Sequence, residues 1–147
     1  MEPETCYMCG GTVEVRRREH REKIGRHVTV DQGVPWLVCT RCGEATISDA
    51  AWKSAELRAA LTVLHDLPHV EGAVLRAVRK ILGLTQKELG AILDLDHATI
   101  SRSEASPAHI PRTTQLALAT LVERAQRGER LEVPGDPVEG AVLQVAS

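Results

Sequence analysis

The chain contains no phenylalanine, and its only aromatic side chains are Tyr7, Trp36 and Trp52. A single large core packed around aromatic rings is thereby disfavoured. Two small cores of leucine, valine and alanine, one of them helped by a metal, are the expectation. No apolar run approaches the roughly 20 residues that a membrane-spanning helix needs, so no membrane association is expected. The opening segment MEPETCYMCGG has neither a basic start nor an apolar stretch. It does not read as a secretory signal, and the cytoplasm is the expected compartment. Net charge is also small, formally −2, which argues against indiscriminate coating of nucleic acid yet permits one basic docking face. No Ser/His/Asp or paired-carboxylate constellation is present, and an enzyme is not expected.

What the chain does have is four cysteines in two pairs, Cys6-x-x-Cys9-Gly10-Gly11 and Cys39-x-x-Cys42-Gly43, with 29 residues between the pairs. Two residues between thiolates let both sulfurs reach one tetrahedral ion from a tight turn. The glycine that follows allows a positive φ, so that backbone amides point at the sulfurs. Four thiolates fill every position of a tetrahedron and leave none for a substrate water, so the expected cofactor is one structural zinc ion per chain. A thioredoxin-like redox pair would require a βαβ setting, which the sequence lacks. An iron–sulfur centre is also compatible with four cysteines. His20 and His27 lie between the pairs and read as solvated strand residues rather than ligands.

Residues 1–48 read as strands and turns. TVEVRRR (12–18) and RHVTVDQ (26–32) alternate, and VPWLVC (34–39) follows a Gly-Val-Pro turn signal. RRREHREK (16–23) reads as a solvated hairpin. Ser48 or Asp49 caps a helix in which Trp52, Ala55, Ala59 and Val63 share a face, and Leu67-Pro68-His69 breaks it. The second half reads as consecutive helices: 71–82, stopped by Gly83; 85–93, opened by the capping box Thr85-x-x-Glu88; 97–104, capped by Asp96; and 112–126, ending near Gly128. The fold class expected is therefore two small domains. A β-rich, zinc-ribbon-like unit occupies 1–67, with a hinge at about 67–70, and an all-α unit occupies 71–128. An extension, 129–147, has no assigned role.

The stretch LRAVRKILGLTQKELGAILDLDHATISRSE (75–104) resembles the helix-turn-helix of the Cro/C1 (XRE) repressor family. The resemblance lies in the LTQ-x-EL opening, the small Gly90 in mid-helix, apolar Leu95 in the turn and the TISR-x-E close. It implies a lambda-repressor-like fold whose helix from His97 enters the major groove while the preceding helix crosses the backbone. Gln86 then matches a phosphate-contacting position, and His97, Ala98, Thr99, Ser101 and Arg102 match positions that face DNA. In chemical terms, Ala98 and Thr99 suit a thymine methyl and Arg102 suits phosphate or guanine, while Ile100 points inward with Leu89, Ile92 and Leu95. Asp94 stands where that family usually has glycine, and Asp96 where it has serine or threonine. Asp96 so near phosphate predicts modest affinity per half-site and a need for a dimer, while Asp94 is a departure without an explanation in the sequence.

The order of parts, CYMCGGTVEV, GRHVTV and PWLVCTRCGEATIS followed by this helical unit, resembles the YgiT-type zinc-finger proteins, of which the MqsA-like antitoxins are a branch. The resemblance implies an antitoxin of a type II toxin–antitoxin system. Its zinc domain would hold a cognate toxin, commonly a ribonuclease, and its helical unit would bind a palindromic double-stranded operator and repress its own operon. A homodimer is expected, with 112–126 as the dimer element because LALATLV is unusually apolar for a surface helix. A zinc-containing XRE-family regulator without a toxin partner is the alternative.

Overall fold

In the computed structural model, residues 5–135, 140 and 144–145 are described. A three-stranded antiparallel sheet comes first: β1 (Val13–Ile24), β2 (His27–Cys39) and β3 (Ala45–Thr46), in the order β1-β2-β3. Five helices follow: α1 (Asp49–Asp66), α2 (Gly72–Ile81), α3 (Gln86–Leu93), α4 (His97–Ala105) and α5 (Arg112–Gln126).

The charge run 16–23 falls inside β1, whose residues Arg16, Arg17, Arg18, Glu19, Arg21 and Lys23 are exposed, in keeping with a solvated hairpin. A two-residue turn at Gly25 and Arg26 joins β1 to β2, with Ile24 facing His27 and Gly25 at φ +63°. The expected turn at Gly33-Val34-Pro35 is instead part of one continuous strand. The register shifts there, from Arg18 opposite Val34 to His20 opposite Asp31. An extra residue in β2 is absorbed as a bulge, held by the Gly33 amide donating to Asp31 Oδ1 at 3.0 Å. A Gly-Val-Pro triplet thus marks a bulge rather than a reversal.

Ser48 caps α1 by accepting from the Ala51 amide at 3.1 Å. Of the expected face of α1, Ala55, Ala59 and Val63 are buried, but Trp52 is 40% exposed and lies edge-on to His20 with ring centroids 5.0 Å apart. The buried cluster draws on every helix, including Leu64 of α1, Leu75 and Val78 of α2, Leu89 of α3, Ile100 of α4, and Leu118 and Val122 of α5. It is continuous across the 67–70 connection, where Gln115, fully buried, donates from Nε2 to the carbonyls of Leu64 (2.9 Å) and Leu67 (2.8 Å). Ile24 is the one sheet residue in this cluster. Helix α2 ends in a Schellman turn, with the Gly83 amide on Lys80 O and the Leu84 amide on Arg79 O, and Gly83 at φ +71°.

The apolar run of α5 has a use inside the chain. Leu118, Ala119, Leu121 and Val122 are buried, and α5 packs along α1. Leu116, at 48% exposure, is what the run leaves to solvent. The apolarity of LALATLV is therefore explained by α1 and is no argument for a dimer. Residues 129–135 carry no helix or strand, and most of the tail beyond them lies outside the described residues. No described helix is long and apolar enough to cross a membrane.

Candidate metal centre and nucleic-acid interface

The two cysteine turns fold alike. In the first, the Gly10 amide donates to Cys6 O at 2.8 Å and the Cys6 amide to Gly11 O at 2.9 Å. In the second, the Gly43 amide donates to Cys39 O at 3.1 Å and the Cys39 amide to Glu44 O at 2.9 Å. Gly10 and Gly43 sit at φ +74° and +78°, the left-handed geometry expected of the residue after each pair. Gly11 is needed for a different reason: a methyl group there would stand 3.0 Å from Cys39 Sγ and 2.9 Å from Arg41 Cβ.

The turns bring Cys6, Cys9, Cys39 and Cys42 together, with all four sulfurs within 4.8 Å of one another. Cys6 and Cys42 are 3.6 Å apart and Cys9 and Cys39 3.5 Å. A tetrahedral ion with metal–sulfur bonds of about 2.3 Å needs sulfur–sulfur edges of about 3.8 Å, so the donor set fits one metal ion. The electrostatics of the cluster suit one as well. The Cys39 thiol is lowered to about 6, first by the amide of Cys42 and then, against burial, by that of Arg41. The Cys42 thiol is pushed up to about 12; the amide of Glu44 lowers it, but burial and the sulfurs of Cys9, Cys6 and Cys39 prevail. Four thiolates at this spacing repel one another, and a cation in their midst removes the conflict. His20 and His27 lie outside this cluster and are half-buried rather than fully solvated. His20 pairs with Glu22 at 2.9 Å, and His27 with Glu71 at 3.1 Å.

The second candidate site is built on α3 and α4. The capping box is complete: Thr85 Oγ1 accepts from the Glu88 amide at 3.1 Å, and Glu88 Oε1 accepts from the Thr85 amide at 2.9 Å. At the other end of α3, the amides of Asp94 and Leu95 converge on Gly90 O. Asp94 lies at φ 55°, ψ 46°, left-handed, the one non-glycine with positive φ among the described residues. A position that must be left-handed is one where glycine is the natural choice. A Cβ on Gly90 would come to 2.6 Å from Leu95 O, which accounts for the small residue in mid-helix.

Asp96 occupies the N-cap position of α4, but its side chain makes no capping hydrogen bond, contrary to expectation. Ile100 is buried as expected. Leu95 is 36% exposed rather than inward, because the turn that follows left-handed Asp94 carries it to the surface. His97, Ser101 and Arg102 are exposed on α4, and Ala98 and Thr99 are half-buried. Gln86, at the start of α3, is half-buried and donates from Nε2 to Glu104 Oε1 at 3.3 Å.

That contact leads to residues the sequence reading left without a role. Arg79 of α2 makes a forked pair with Glu104, Nε to Oε2 at 2.8 Å and Nη2 to Oε1 at 2.9 Å, and also donates to Leu84 O at 2.9 Å. The side chains are 12% and 4% exposed. Gly72, at the start of α2, is in backbone contact with the far end of α4: a methyl there would overlap the Ser103 carbonyl. Together these contacts fix the C-terminal half of α4 against α2 and the start of α3. No local spacing reveals them, since Arg79 and Glu104 are 25 residues apart. No protein-family model matches the chain, and no curated protein matches it.

Proposed function

We propose that the chain is an antitoxin that binds its own operator through α3 and α4 and holds a cognate toxin through its N-terminal half, with a structural zinc ion in the four-cysteine cluster. The observation that carries the DNA-binding part is the pose of α4. His97, Ser101 and Arg102 stand exposed on a helix that is held in place by buried Ile100 and by the Arg79–Glu104 fork. A short helix rigidly mounted with polar and cationic groups outward is what base-edge and phosphate contacts need. Exposed Asp94 and Asp96 at its entrance lower the affinity of one copy, which supports operation as a dimer on a two-fold operator.

Zinc is favoured over an iron–sulfur centre because sulfur pairs 3.5 and 3.6 Å apart suit a single ion at their centre. Mass spectrometry of the native chain should give one zinc per polypeptide. The operator claim is tested by gel retardation with the DNA upstream of the chain's own reading frame. Arg102→Ala should weaken binding by about tenfold or more, the value of one good phosphate or guanine contact, with the circular dichroism spectrum unchanged. Unaltered retardation would remove Arg102 from the interface and leave α4 without its strongest contact. The toxin claim is tested by co-expressing the full chain with the product of the adjacent reading frame. Failure to form a complex would leave a zinc-containing regulator without that partner.

A further inference from the structure

The sheet has two unlike faces. One lies against the helices and carries Ile24, Val34 and Val38, all buried. The other is uncovered, although half of it is apolar. Strand alternation places Val15 of β1 and Val28 and Val30 of β2 on it, and these three are 62%, 58% and 47% exposed. Pro35, Leu37 and Ile47 continue the apolar surface, lining with Val15 a groove of about 440 Å³ that ends at Ser48 and Asp49. Exposed valines on adjacent strands are uncommon unless something covers them.

The charges on this face have one predominant sign. Arg17, Arg21 and Lys23 alternate with Val15 along β1 and point the same way, and Lys23 and Arg21 stand opposite Val28 and Val30. Glu19 is the only carboxylate on the strands of this face among the described residues, and Arg21 already reaches it at 3.4 Å. Asp49 lines the far end of the groove, so it is the hairpin part of the face, around Val28 and Val30, that is apolar with a cationic border, and its complement is apolar with an anionic border. A second copy of the same face would set cations against cations, and duplex DNA would leave the valines in water.

We propose that this open face of the β1–β2 hairpin is the docking surface for a segment of a partner protein whose apolar side chains are flanked by carboxylates. The inference rests on the reading that the N-terminal half holds a protein partner, and it specifies which surface does so and what local chemistry the partner presents. A partner that is basic overall must present an acidic patch here.

The test uses the full zinc-loaded chain and two short synthetic peptides of equal length, one alternating valine with glutamate and one alternating valine with lysine. The acidic peptide should bind and the basic one should not. The double substitution Val28→Ser, Val30→Ser removes two apolar contacts and should weaken the acidic peptide by about tenfold or more. Arg21→Glu with Lys23→Glu should reverse the preference. All four side chains are exposed, so the fold and operator retardation should not change. Equal binding of both peptides, no binding, or no response to the valine substitutions overturns the proposal. So does a dimer that dissociates when Val28 and Val30 are replaced, because the occupant would then be a second copy. Failure of the adjacent gene product to bind, with peptide preference intact, would fault the toxin reading and leave this surface standing.

Discussion

At the scale of single residues, Asp94 is where a folding cost and, on the proposed operator binding, a functional cost meet. Left-handed backbone costs an ordinary L-residue about 1–2 kcal/mol, and aspartate somewhat less. The carboxylate also stands exposed at the mouth of α4, where phosphate would approach. Two substitutions separate these effects. Asp94→Asn keeps a side chain that tolerates the left-handed region and removes the charge, so thermal stability should hold while DNA affinity rises. Asp94→Gly removes both and should also gain about 0.5 kcal/mol in thermal denaturation. If neither variant binds DNA more tightly at low salt, Asp94 does not face phosphate and the docking pose is wrong. The same residue was readable in the sequence as a departure from a pattern, but its cause is a dihedral angle, and only the folded chain supplies that.

At the scale of elements, the mounting of α4 depends on a buried ion pair. Burial alone would raise the Glu104 carboxyl, but the Arg79 and Gln86 hydrogen bonds overcome it and hold the group below the ordinary glutamate value of 4.5. A depressed native pKa means that the unfolded chain binds more protons, so the pair's stabilisation is complete above about pH 4.5 and is lost as pH falls through the native value. Glu104→Ala, which strands a buried guanidinium, should cost about 3 kcal/mol at neutral pH. Glu104→Gln should be less severe, and its deficit against wild type should close as pH is lowered, whereas a deficit flat with pH would mean that packing and not charge is what Glu104 supplies. Helix α3, by contrast, was legible nearly in full, because its capping box is a local spacing of Thr85 and Glu88. So were the bounds of α5, set by Pro111 and by Gly128. What α5 packs against was not legible: periodicity shows that a face is apolar, not whether the face is covered by α1 or by another chain. The bulge at Gly33 misled for a related reason, since glycine and proline announce a break in pairing but not its kind.

At the scale of the whole molecule, the two ends are held by different physics. The cysteine spacing made the metal site legible from sequence, because each half of the site is a four-residue turn that depends on nothing distant. Its consequence for the fold depends on where the apolar core sits. Ile24 is the sheet residue in the buried cluster; Gly25 against Val74, the His27–Glu71 pair, the Arg58–Asp31 pair at 2.8 Å and His20 against Trp52 tie the sheet further to the helices, all away from the knuckles. The knuckle end of the sheet has no comparable core; Tyr7 and Met8 are 74% and 65% exposed there. Removing the metal with a chelator should therefore release the knuckles and fray β3 and the near halves of β1 and β2, since four clustered sulfurs lose the cation that reconciles them. The helices keep their own cluster and should stay folded. Hydrogen exchange should show protection lost around Cys6 to Val15 and Leu37 to Thr46 but retained at Leu75, Leu89 and Leu118, and the cooperative helical melt should persist. Cys39→Ser should reproduce the pattern without chelator, and operator retardation should survive in both cases. Loss of the helical melt together with the strands would show instead that α1 transmits the metal's stabilisation to the whole chain, through its contacts with the sheet on one side and α5 on the other.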